Sequence, residues 1–146
     1  INDNVKLAKE IDADGVHLGQ DDLDIKAARE YLGADKIIGV SAHNVKEALE
    51  AENGGADYLG SGAAFVTSTK TDAGAIDHKV LSDVAHSVKI PVVAIGGINK
   101  DNISQLEGLG LDGVAVVSAI FAADDISSAV IDLKAKAEKV AESSSK

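Results

Sequence analysis

The sequence predicts an α/β fold built from parallel βα repeats, and three observations predict it. First, two apolar, β-branched runs stop abruptly at Gly or Ser with a helix start just beyond. They are Ile90-Pro91-Val92-Val93-Ala94-Ile95-Gly96-Gly97-Ile98 and Gly113-Val114-Ala115-Val116-Val117-Ser118-Ala119-Ile120. Such runs suit strands covered on both faces, as in a parallel sheet. Second, a short pattern recurs. Ala13-Asp14-Gly15-Val16-His17-Leu18 resembles Ala56-Asp57-Tyr58-Leu59-Gly60 and Leu111-Asp112-Gly113-Val114-Ala115-Val116. Each copy follows an amphipathic segment and opens an apolar run, with Asp in the turn from helix to strand. Third, helical and strand patterns alternate, which implies right-handed crossovers between parallel strands.

In chain order, Asp3 stands as N-cap before a helix with apolar positions Val5, Leu7, Ala8 and Ile11. A strand follows over Gly15–Leu18, then a helix over Ile25–Leu32 and a strand over Lys36–Val40. Val45, Ala48 and Leu49 mark a third helix, ended by Gly54-Gly55 and followed by a strand over Asp57–Gly60. Gly62 to His78 has no clear period, and a long connection of this kind is often functional. Val80, Leu81, Val84 and Ala85 mark a fourth helix before a strand over Pro91–Ile95. A fifth helix is expected around Ile103–Leu106, capped by Asn99 or Asp101, then a strand over Gly113–Val117 and a last helix over Ile126–Val140. Residues 1–142 read as one domain, and 143–146 as a disordered tail.

Composition narrows the function. The chain has 146 residues, enough for one core, and 45% of them are hydrophobic. Aromatics make up 3%, so Ala, Val, Ile and Leu must build that core. A net charge of −10 with one arginine, Arg29, argues against nucleic acid and anionic membrane partners. A phosphorylated small molecule stays possible, because local amides and a bound cation outweigh the global sign. There is no cysteine, which removes disulfides and Cys-based metal sites, and no 18-residue apolar run. A cytoplasmic location is expected. The chain starts at Ile1 and contains no Met, which reads as a portion of a longer gene product.

Polar residues gather at the expected strand ends: Gln20, Asp21 and Asp22; Ser41 and His43; Thr67, Ser68, Thr69 and Lys70; Gly96 and Gly97; Ser118. If the strands are parallel, all lie on one rim, the pattern of a (β/α)8 TIM-barrel enzyme. Asp3 and Asp22 are either helix N-caps or a pair of rim carboxylates bridged by Mg²⁺ and phosphate oxygens. Lys70 is either part of a phosphate clamp with the loop hydroxyls or a solvated loop residue. Gly96-Gly97 forms a tight turn or, as the strand pattern favours, a phosphate cradle. His43 reads as a cap residue, His17 as a core histidine, and His78 and His86 as surface residues. No Ser-His-Asp spacing, GxSxG or P-loop occurs.

Taken in order, Ile1-Asn2-Asp3, Gly15-Val16-His17-Leu18-Gly19-Gln20-Asp21-Asp22, Gly39-Val40-Ser41-Ala42-His43, Gly55–Gly60, Thr67-Ser68-Thr69-Lys70, Pro91–Ile98 and Gly113–Ile120 resemble the thiamine phosphate synthases. These belong to the thiazole synthase/tautomerase barrel superfamily, and the resemblance covers nearly all of residues 1–125. It implies a transferase of thiamine biosynthesis on a TIM barrel. That enzyme joins hydroxymethylpyrimidine diphosphate to thiazole phosphate and releases diphosphate, which departs before the thiazole nitrogen captures the pyrimidine cation. It implies Mg²⁺ as cofactor on Asp3 and Asp22, and Lys70 and Ser41 as catalytic residues. Asn2 and Ser41 would hold the pyrimidine diphosphate. Thr67, Thr69, Gly97, Val117 and Ser118 would seat the thiazole phosphate, and Lys70 would offset charge on the leaving group.

Two departures accompany the resemblance. The family's opening strands, one bearing a Gln-x-Arg-x-Lys pattern, have no counterpart here, and Arg29 lies in a helix. About five strands are expected, fewer than the eight of a closed barrel, which needs roughly 200 residues or more. The barrel is therefore incomplete in this chain, with open edges through which a homo-oligomer or other self-association is expected. Also, Ser61-Gly62-Ala63-Ala64-Phe65-Val66 lacks the prolines that usually flank this aromatic, which should loosen the following loop. The alternatives are a thiazole tautomerase-like isomerase and an inactive partial barrel that binds phosphate.

Overall fold

Local sequence sets each helix start. Asn4 caps α1 (Val5–Glu10), its side-chain oxygen accepting from the Leu7 N–H at 2.8 Å. Asp3, expected in that role, is instead the residue before, with φ 61°. Asp24 caps α2 (Ile25–Leu32), Asn44 caps α3 (Val45–Gly54), Asp77 caps α4 (His78–Ser87), and Asp125 caps α6 (Ile126–Glu142). Each carboxylate or amide oxygen satisfies a first-turn N–H that has no partner inside the helix. Gly55 ends α3 in the left-handed region, where a side chain would be strained.

The computed structural model describes residues 1–66 and 74–144. Among them, five strands form one open sheet in the order β1 (Gly15–Leu18), β2 (Ile37–Ala42), β3 (Tyr58–Gly62), β4 (Val92–Ile95) and β5 (Gly113–Ala115). All four pairings are parallel. Ile1–Asp3 adds a stub beyond β1: Asn2 bridges His17, the Asp3 N–H donates to the His17 carbonyl, and the His17 N–H donates to that of Ile1. Sequential order with a uniform crossover hand puts the connecting helices on one face, the arrangement of a partial (β/α)8 barrel.

That face holds the core. Leu18, Ile38, Leu59 and Val92 from the strands meet Ala28, Ala48, Leu81 and Val84 from α2–α4, all fully or nearly fully buried. Burying each large aliphatic side chain contributes ~1.5–3 kcal/mol, so this layer dominates stability. Strand residues one step out of phase face the other way, where Ile37 and Ile95 are 51% and 42% exposed. The sheet is thus covered on one face, while the other carries apolar side chains such as Ile37 and Ile95 together with polar ones.

Two copies of the repeated Asp, Asp57 and Asp112, share a structural role. The Asp57 carboxylate accepts the Ile38 N–H at 2.7 Å, while its own N–H donates to the Ile38 carbonyl at 2.8 Å. Asp112 repeats this pair of bonds on Val92 of the neighbouring strand. Each Asp therefore pins the start of its strand to the start of the one before. Arg29 reinforces the first pin, pairing with Asp57 at 2.6 Å and reaching the carbonyls of Lys36 and Gly55.

Some boundaries move. β2 runs to Ala42, so Ser41 lies within the strand. β5 ends at Ala115, and Val117 starts a short helix instead, α5 (Ser118–Phe121). The expected fifth helix is a single 3₁₀ turn, Ile103–Leu106, because Gly108 and Gly110, both at positive φ, stop it within a turn. Ser143 closes α6: its hydroxyl accepts from Gly108 N–H and donates to the Val140 carbonyl.

Candidate functional site

Every functional candidate that the structure describes lies at the C-terminal side of the sheet, where parallel strands deliver their ends together. Asn2 and Asp3 belong to the stub beside β1, Asp22 follows β1, and Ser41 is near the end of β2. Gly97 follows β4, and Val117 and Ser118 follow β5. Thr67, Ser68, Thr69 and Lys70 lie outside the described residues.

The two carboxylates are not caps, since Asn4 and Asp24 fill those positions. Asp22 accepts the Gly19 N–H at 2.6 Å and so closes a tight turn over residues 19–22. Its side chain also lines a cavity with Gln20, Ile25, Glu47 and Glu50, between α2 and α3. Asp3 is exposed at the edge beside it in sheet order. Among the described residues no group of three or more His, Asp or Glu is placed to hold a metal ion.

Ser41 is the best-organised residue of the rim. Its carbonyl accepts the Gln20 side-chain N–H at 2.6 Å, which ties the β1 turn to β2. Its hydroxyl is 3.0 Å from His17 Nε2, and His17 Nδ1 is 2.9 Å from the Tyr58 hydroxyl. Burial raises the Tyr58 pKa above its ordinary value. His17, expected in the core, sits instead on the uncovered face, half-buried. The register explains this, because Val16 and Leu18 take the helix side and leave His17 the other.

Two glycines make room for the trio. A Cβ on Gly39 would lie 2.1 Å from Tyr58 Cζ, and one on Gly60 would lie 3.0 Å from His17 Cε1. Tyr58 therefore lies across β2 at Gly39 to reach β1. Sequence reasoning did not single out Tyr58. The signal was present in Gly39 and Gly60, single glycines inside strand runs, which mark a close approach.

At the other end of the rim, Gly96 and Gly97 adopt φ 97° and 66°. A Cβ on Gly97 would lie 2.7 Å from the Phe65 carbonyl oxygen, so only glycine fits this turn. The Asn102 side chain donates to the Gly97 carbonyl at 2.9 Å. Val117 and Ser118 are exposed, and α5 has no side-chain cap. Among the described residues no side chain accepts from the first N–H groups of α5. A second cavity joins Asn99 and Lys100 to Ser118 and Ala122.

The stretch without prolines is anchored nonetheless. Ala64 and Phe65 N–H groups donate to the carbonyls of Ile95 and Gly96, and His78 Nε2 is 3.3 Å from the Ala64 carbonyl. The Phe65 and His78 rings meet edge to face at 5.1 Å. His43 lies beside the α3 cap, where its N–H and ring both bond Glu47. Burial works to raise the Glu47 pKa, but the bonds from His43 and Asn44 outweigh it and leave the carboxyl below its ordinary range.

Arranged this way, the rim carries carboxylate and hydroxyl oxygens at one end and the start of α5 at the other. A family model described as thiamine monophosphate synthase matches residues 1–120. The chain is 55% identical over 126 residues to the thiamine-phosphate synthase of Clostridium acetobutylicum, covering 86% of this chain and 60% of that protein. It is 51% identical over 134 residues to that of Clostridium beijerinckii, covering 92% and 64%. A solved thiamine phosphate pyrophosphorylase from Pyrococcus furiosus is similar at a TM-score of 0.85 and 47% identity, covering 95% of this chain and 66% of that one. The chain therefore spans slightly under two thirds of these relatives' lengths.

Proposed function

Because the chain belongs to the thiamine monophosphate synthase family, we propose that it serves the transfer of a hydroxymethylpyrimidine group from its diphosphate to thiazole phosphate, giving thiamine phosphate and diphosphate. What carries the reading is the shared rim: Asn2, Asp3, Asp22 and Ser41 at neighbouring strand ends, with Gly97 and Ser118 farther along the same side. One anionic substrate is assigned to each end, so that the reacting carbon and the thiazole nitrogen meet over the sheet between them.

Asp3 and Asp22 suit Mg²⁺ as a donor set. Mg²⁺ takes hard oxygen ligands, commonly one or two carboxylates completed by substrate phosphates and water, so a third protein carboxylate is not required. When bound there, the ion supplies positive charge that makes diphosphate a better leaving group. Ser41 and Asn2 orient the pyrimidine diphosphate, and Lys70 offsets charge developing on the departing oxygen. The Gly97 turn and the N–H groups at Val117 and Ser118, with Thr67 and Thr69, hold the thiazole phosphate. No general base is called for, because the thiazole nitrogen attacks with its own lone pair.

Titration calorimetry with each substrate, with and without Mg²⁺, tests the reading. Hydroxymethylpyrimidine diphosphate should bind in a Mg²⁺-dependent way, and Asp22→Ala should abolish that dependence while thiazole phosphate binding persists. Binding of the diphosphate that ignores both Mg²⁺ and Asp22 refutes the assignment. Turnover is a separate readout, since the Gln-x-Arg-x-Lys strand of the resemblance has no counterpart in this sequence.

A further inference from the structure

Tyr58 on β3, His17 on β1 and Ser41 on β2 form a connected row of side chains, of which the proposed reaction uses only Ser41. Tyr58 and Ser41 occupy opposite ring nitrogens of His17, at 2.9 Å and 3.0 Å. The ring planes of Tyr58 and His17 are tilted by 41° with centroids 5.5 Å apart, a packing that leaves the hydroxyl free to meet Nδ1. Gly39 and Gly60 are the clearances that permit it.

We propose that Tyr58 and His17 are positioning residues that hold the Ser41 hydroxyl as a hydrogen-bond donor toward an acceptor atom of the bound substrate. This rests on the reading that Ser41 faces the pyrimidine diphosphate. A neutral imidazole has one donor and one acceptor nitrogen, so fixing one fixes the other. The Tyr58 phenol, its pKa raised by burial, keeps its proton through the neutral range. By donating to Nδ1 it places the ring proton on Nε2, which then donates to Ser41 Oγ. The serine proton is left to point outward. The reverse polarity has Ser41 donate to His17 and turns only lone pairs toward the ligand. Diphosphate oxygens are acceptors only, so that arrangement sets lone pair against lone pair. Gln20 fixes the Ser41 backbone at the same time, so both the position and the polarity of the hydroxyl are set before the substrate arrives.

The test has two arms on the chain itself. In the first, nitrogen NMR of the ring reads the neutral His17 tautomer in the unliganded protein. The Nε2–H form is expected, and Tyr58→Phe, which keeps the ring and removes only the hydroxyl, should erode that preference. An Nδ1–H form in the parent chain, or a tautomer indifferent to Tyr58→Phe, overturns the proposal. In the second arm, calorimetry with hydroxymethylpyrimidine diphosphate should show Tyr58→Phe weakening binding about fivefold. The same change in a Ser41→Ala background should have no effect. Equal weakening in both backgrounds overturns the proposal. A parent chain that does not bind the diphosphate refutes the reading of the site, while the tautomer still decides the row of bonds.

Discussion

Replacing Gly39 with alanine tests the packing that builds the candidate site. The new Cβ would lie 2.1 Å from Tyr58 Cζ, 2.3 Å from Cε1 and 2.4 Å from the hydroxyl oxygen. Gly39 belongs to a central strand paired on both sides, so its backbone cannot retreat. The tyrosine ring must leave. Forcing a methyl group into a filled space costs ~1–3 kcal/mol. Losing the bond from Tyr58 to His17 adds ~1 kcal/mol. Urea unfolding should therefore show Gly39→Ala destabilised by ~2–4 kcal/mol. The decisive comparison is made in a Tyr58→Ala background. With the ring gone the three nearest atoms are removed, and the alanine becomes neutral or stabilising by ~0.4–1 kcal/mol through the unfolded chain. If Gly39→Ala costs less than ~0.5 kcal/mol, or costs the same with and without Tyr58, the close approach does not govern this strand.

Two further outcomes follow from other bonds. Asp57→Ala leaves the buried Ile38 N–H without its carboxylate acceptor and should lower stability by ~2 kcal/mol in urea. Asp57→Asn keeps that acceptor and should recover more than half, since the half-exposed pair with Arg29 is worth little; equal losses would contradict the pin. Acidification should weaken the fold through Glu47, whose folded pKa lies below its unfolded value. Its contribution is complete above the ordinary glutamate pKa of 4.5 and is lost as pH falls through the lower folded value. Asp12, bonded to Lys36, and Asp125, bonded to Ser128, shift the same way, and their contributions are lost only below the ordinary aspartate pKa of 3.8. Glu47→Gln should therefore reduce, not erase, the fall of the urea midpoint between about pH 5 and pH 3; an unchanged fall would exclude the role.

The sheet was legible in the sequence because its strands are short, apolar and punctuated by turns. Gly15–Leu18 and Ile25–Leu32 are observed with the bounds expected. The C-terminal rim was legible for the same reason, since a parallel sheet gives all strand ends one direction. Exchanges between neighbouring residues were not. Asn4 rather than Asp3, and Asp24 rather than Asp22, cap their helices, because which of several adjacent oxygens meets the first-turn N–H depends on backbone angles that composition does not encode. The role of His17 was hidden differently. Alternation along β1 places it opposite Val16 and Leu18, but only cross-strand register reveals Gly39 beside it and Ser41 within reach. Apolar periodicity ran past Ala115 to Val117, and the backbone turned first.

The aspartate pins described above make strand alignment at two seams a matter between neighbours. Asp57 at the β2–β3 seam and Asp112 at the β4–β5 seam each bond an amide at the start of the adjoining strand alone, so neither alignment depends on the sheet's total breadth. At those two seams the βα unit carries its own alignment in the aspartate of its helix-to-strand corner. An architecture measured seam by seam can grow or be recombined in whole units, with catalytic novelty confined to the opposite ends of the strands.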